Sequence, residues 1–108
     1  MSHVTDIILA TMIDDGAERD GEHPNADRLN AYLIENHGGW LLEKVDDRAG
    51  GGKAMQCDLF IAAINHLNIP EFLKAFHEIE WEAPEYIQLM LKDEHDERFK
   101  IYVPKQVG

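Results

Sequence analysis

The chain has 108 residues, with 21 acidic against 10 basic side chains and a formal charge of −11 at pH 7. Such a charge repels phosphate backbones and anionic lipid surfaces, so direct binding to nucleic acid or a membrane is not expected. The length suits a single α+β domain over residues 1–108 that buries roughly two-thirds of its unfolded surface. The lone Cys57 excludes an internal disulfide and fits a reducing cytoplasm. The first residues lack the basic and apolar regions of a signal peptide, and no apolar run approaches the roughly 18 residues of a membrane span.

Residues 4–13 read as a first strand, rich in β-branched side chains. Its run Ile7-Ile8-Leu9-Ala10-Thr11-Met12-Ile13 is apolar on both faces, as is Leu59-Phe60-Ile61-Ala62-Ala63-Ile64 further on. A strand sends alternate side chains to opposite faces, so both runs belong to a sheet covered on both sides. Residues 14–23 form a polar loop, and 24–37 a helix with Ala26, Leu29, Leu33 and His37 on one stripe. Gly38-Gly39 supplies its left-handed stop.

A second strand is expected over 40–45, a flexible hairpin connection over 46–52 and a third strand over 55–66. The third run is also long enough for a buried helix; the preceding glycines favour a strand. Asn68 then caps a second helix, with Glu71 at the capping-box position and Leu67 and Phe72 at the staple positions. Ile69, Phe72, Leu73, Phe76 and Ile79 make its apolar stripe, and Pro70 is tolerated in the first turn. The last segment is a hairpin with its tip at 93–97. Ile87, Leu89 and Leu91, together with Phe99, Ile101 and Val103, are expected to form one apolar face, leaving the other mixed.

The order β-α-β-β-α-β-β contains a ferredoxin-like split βαβ with an extra C-terminal hairpin strand, both helices lying on one face of an antiparallel sheet. In that arrangement the first and third strands are central, and these are the two with apolar residues on both faces. Two short helices cover one face, so a second copy or a partner is expected on the other.

No chemical motif stands out. Asp14, Asp15, Glu18, Asp20 and Glu22, followed by His23, gather several carboxylates, but an EF-hand register from Asp14 puts Arg19 where glycine belongs and Asn25 where the bidentate glutamate belongs. No two histidines have zinc-motif spacing, and Cys57 lacks a CxxC companion, so no metal and no cofactor is assigned. Cys57 and His66 fall on opposite faces of a strand and far apart, which excludes a dyad, and Ser2 is the sole serine. Residues 49–54 lack phosphate-loop spacing, and the aromatic residues are not interleaved with bases as in an RNA-binding sheet. No catalytic residue is assigned.

Two functions follow as expectations. One is an acidic protein-binding module, an inhibitor or immunity-type protein masking a basic partner such as a nuclease. Its binding residues would be Asp14, Asp15, Glu18, Asp20, Glu22, Glu78, Glu80, Trp81, Glu82 and Tyr86, with Trp40 as a further aromatic anchor. The other is a dimeric α+β barrel that packs two sheets face to face around a small molecule. Met12, Phe60, Met90 and Tyr86 would lie in the buried face or pocket, with His66 as its acid–base group.

Overall fold

A computed structural model describes residues 3–104. It has α+β architecture: β1 (Val4–Thr11), α1 (Pro24–His37), β2 (Glu43–Lys44), β3 (Asp58–Asn65), α2 (Ile69–Glu78), β4 (Gln88–Lys92) and β5 (Lys100–Tyr102). Single 3-10 turns lie at Asp46–Arg48 and Pro84–Tyr86. The five strands form one open antiparallel sheet in the order β2-β3-β1-β4-β5. β1 and β3 pair along all eight of their residues, from Val4 opposite Asn65 to Thr11 opposite Asp58. The apolar run after the glycines is therefore strand, not helix.

The helices follow local chemistry. α1 has the expected bounds, and Gly38 closes it at φ 74°, a left-handed conformation that costs glycine little. α2 begins where the Asn68 side chain accepts the Glu71 N–H at 3.3 Å. No helix among the described residues is long and apolar enough to cross a membrane.

β2 is much shorter than the expected 40–45, because side chains replace its ladder partners. Asn30 on α1 accepts the Leu42 N–H at 2.9 Å, so regular pairing starts only at Glu43. At the other end the Asp46 carboxylate accepts the Leu59 N–H at 3.0 Å and ends the pairing. β5 has only three residues. The hairpin tip is held by its own carboxylates: the Asp93 N–H donates to Asp96 Oδ2 at 3.2 Å, and Thr5 donates to Asp93 Oδ1 at 3.1 Å.

Strand alternation sorts the core. Ile7 and Leu9 of β1, Phe60 and Ile64 of β3, and Leu89 and Leu91 of β4 point to one side. There they meet Leu29 and Leu33 of α1, Phe72 and Phe76 of α2, and Trp81. All belong to a single buried cluster, so both helices roof the same face. Phe60 is thus beneath the helices, which corrects its expected place in a pocket on the opposite face.

The other face carries the even positions of β1 and the odd positions of β3. Its middle row runs Glu43, Ile61, Ile8, Met90, Ile101 across all five strands. The hairpin corrects a further expectation. Leu89 pairs with Tyr102 and Met90 with Ile101, so Ile101 stands opposite in sense to Ile87, Leu89 and Leu91. Phe99 and Val103 share its parity. The two strands of the hairpin therefore send their apolar sets to different faces, a one-residue difference in register.

Candidate functional site

Two places carry chemistry: a polar cluster at one end of the sheet, and the unroofed sheet face. The cluster begins in the loop after β1. Asp14 adopts φ 52°, unusual for any residue but glycine and tolerated best by Asn and Asp. Its N–H donates to Asp58 Oδ2 at 2.9 Å, tying the loop to the first residue of β3. His23, immediately before α1, brings Nδ1 to 3.2 Å from Asp58 Oδ2 and 3.8 Å from Asp14 Oδ1. The His23 ring packs edge-on against Phe60, with centroids 5.6 Å apart.

Lys44 approaches from β2. Its Nζ donates to Asp46 Oδ2 at 2.7 Å and lies 3.6 Å from Asp58 Oδ1. The hydrogen bond to Asp46 raises the Lys44 ammonium above its ordinary value; burial opposes this and the Asp58 charge reinforces it. Burial pushes the Asp46 carboxyl up, but the Lys44 ammonium and the Leu59 N–H outweigh it and hold the group below its ordinary value. Asp46 and Asp58 thus share one ammonium, while Asp14 and Asp58 flank His23.

The acidic loop divides by function. Asp15 is buried and accepts three hydrogen bonds: from Ala83 N at 2.9 Å, Glu82 N at 3.2 Å and Asn25 Nδ2 at 2.6 Å. It staples the loop to α1 and to the segment after α2. Gly16 beside it has φ 75°, and a Cβ there would meet Asn25 Nδ2 at 2.7 Å, so only glycine fits. Glu82 accepts the Gly16 N–H at 2.8 Å. Trp81 is only 7% exposed and donates from Nε1 to Phe76 O at 3.1 Å, which makes it a core residue. Asp15 and Trp81 therefore cannot serve as surface contacts. Glu18, Asp20, Glu22, Glu78, Glu80 and Tyr86 are exposed. Glu22 Oε2 receives the Glu18 N–H at 3.3 Å, and its other oxygen lies 3.6 Å from Arg19.

The unroofed face is apolar. Ile61, Leu41, Phe99, Ile101 and Val103 are exposed on or beside it, Ile101 at 62%. Ile8 and Met90 lie between them, half-buried only by their neighbours. A groove of about 490 Å³ runs over β1 and β3, walled by Trp40 and Leu41 on one side and Phe99 on the other. Trp40 is 72% exposed. Charge enters the face at Asp6 and Lys92, which are cross-strand neighbours on β1 and β4, and at Glu43 on its rim. Met12 and Tyr86 line a smaller hollow with Cys57 and Ile13. His66 is exposed at the end of β3 with φ 59°, its N–H donating to His3 O at 2.8 Å.

Sequence reading singled out Asp14 and His23 but passed over Asp58 and Lys44. The junction is non-local: it depends on Thr11 pairing with Asp58. One signal was present. Asp58 shares parity with Phe60 and Ile64, placing an acid on the buried side of a strand, where a carboxylate needs a partner. Comparison with known protein families, curated proteins and solved structures finds no match for this chain.

Proposed function

We propose that this chain is a protein-association module that works as a face-to-face pair, two sheets packing through their unroofed sides. The observation that carries this reading is an unroofed apolar sheet face that runs across β3, β1, β4 and β5. Large contiguous apolar patches are uncommon on monomers and mark docking surfaces. The ferredoxin-like reading belongs to the same proposal. The partial order β2-β3-β1-β4 agrees with a split βαβ, and β5 widens the face by one strand.

A second copy is the favoured occupant on two grounds. The strands, of two, eight, eight, five and three residues in sheet order, lie about 4.8 Å apart and rise about 3.3 Å per residue, which gives a face of roughly 400 Å² in flat projection. With the exposed Trp40, Leu41, Phe99 and Val103 beside it, the face is of the size that weaker specific interfaces bury, below about 600 Å² per partner. The second ground is charge. A two-fold axis parallel to the strands, between β1 and β4, sets Asp6 over the partner's Lys92 and Lys92 over the partner's Asp6. The same operation lays Ile8 on the partner's Met90 and Ile61 on the partner's Ile101, and leaves Glu43 overhanging in water. A surface that matches itself in both apolar and charged positions suits an isologous dimer.

The test is sedimentation equilibrium. The wild type is expected to be a dimer at tens of micromolar, and Ile61→Glu with Ile101→Glu a folded monomer. A monomeric wild type would overturn the proposal. A second reading, an acidic inhibitor or immunity-type module masking a basic partner, draws on the exposed Glu18, Asp20, Glu22, Glu78 and Glu80. It is separated from the first by capture of a basic protein that weakens as salt rises.

A further inference from the structure

We propose that Asp14, His23 and Asp58 form a binding site for a divalent transition cation. Three side chains converge there: Asp14 and His23 from the two ends of the loop between β1 and α1, and Asp58 from the start of β3. One ligand atom from each lies within 4.8 Å of the other two. Metal–ligand bonds of about 2.0–2.1 Å to imidazole and carboxylate give a tetrahedral edge of roughly 3.4 Å. The His23 Nδ1 distances of 3.2 Å to Asp58 and 3.8 Å to Asp14 bracket that edge.

An independent feature points to a missing ligand. His23 Nδ1 is fully shielded from solvent and makes no hydrogen bond, although it lies between two carboxylates. Buried polar atoms are seldom left without a partner. A cation between the three groups satisfies this nitrogen and offsets the charge of the Asp14 and Asp58 carboxylates.

The surroundings already hold the ligands in place. Asp58 is only 5% exposed, and the Asp14 N–H and the Lys44 ammonium fix its two oxygens. Such outer contacts orient first ligands and sharpen affinity. Asp14 and His23 are each about a quarter exposed, which leaves a path from solvent to the site. One nitrogen and two carboxylate oxygens match zinc, manganese or cobalt better than calcium, which prefers six or more oxygens. The acidic loop therefore contributes one ligand, Asp14, to a site assembled across the fold, without the contiguous spacing of a calcium loop.

The test is calorimetric titration of the metal-free full chain with ZnCl2, alongside the visible absorption of the cobalt form. One equivalent is expected to bind, with the intense bands of four-coordinate cobalt. Asp14→Asn is the principal variant, because asparagine tolerates the left-handed backbone at that position. It should weaken binding at least 10-fold while circular dichroism stays unchanged, and His23→Gln should do the same. A second group, His3, Glu94 and His95, is exposed and offers a competing surface site. A His3→Ala, His95→Ala double variant should keep the full affinity. Loss of binding in that double variant, unchanged affinity in Asp14→Asn, or no binding at 1 mM zinc would overturn the proposal.

Discussion

Asp15 illustrates how a side chain drawn from an acidic stretch becomes internal. Its neighbours Asp14, Glu18, Asp20 and Glu22 keep at least part of their surface, but Asp15 satisfies three donors from two other segments. Removing the carboxylate strands the buried Ala83 N–H, the part-buried Glu82 N–H and the Asn25 amide. Asp15→Ala is expected to lower stability by about 2–4 kcal/mol in urea denaturation. Exposed Asp20→Ala should change it by less than about 0.5 kcal/mol. Sequence alone could not separate these two residues, because the donors to Asp15 lie 10 and more than 60 positions away. Trp81 was ambiguous for the same reason: its identity fits a core and an interface equally, and only the Phe76 carbonyl that receives its N–H decides.

At the scale of elements, the helices were the most legible, since their start and stop signals lie within a turn of the ends they mark. Asn68 accepts the Glu71 N–H and Gly38 takes the left-handed stop, both contacts local in sequence. Asn68→Ala should destabilise the fold by about 1 kcal/mol, read as a lower thermal midpoint, with Asn68→Asp close to wild type. Strand bounds were less legible. β2 is trimmed at both ends by Asn30 and Asp46, whose carbonyl and carboxylate oxygens compete with the ladder from outside the strand. The hairpin was read with the right residues and the wrong facing of β5. Alternation gives each strand two faces but not which face a strand shares with its neighbour, and the tip between residues 92 and 100 sets that register.

Across the whole molecule, the two-sided apolar character of β1 and β3 was legible from composition along the strands. The placement of both helices on one side follows from their common cluster with Ile7, Leu9, Phe60 and Ile64. The β5 register then enlarges the bare side, because Phe99, Ile101 and Val103 turn outward. For the proposed pair, charge offers the cleanest check. Asp6→Lys alone and Lys92→Asp alone each set like charges together at the junction and are expected to weaken dimerisation about 10-fold, or ~1.4 kcal/mol. The double exchange should restore it to within about 3-fold in sedimentation equilibrium, by reversing each attraction without abolishing it.

The brevity of the outermost strands limits how any assembly can grow. With two residues in β2 and three in β5, neither margin offers enough free backbone to recruit another strand, so lateral extension into ribbons stops at one chain. Under the same proposal accretion comes from above, onto a patch that a single visitor hides except at the β2 margin. For the proposed pair, stoichiometry is thereby capped: two molecules closed on each other would leave a third little to hold.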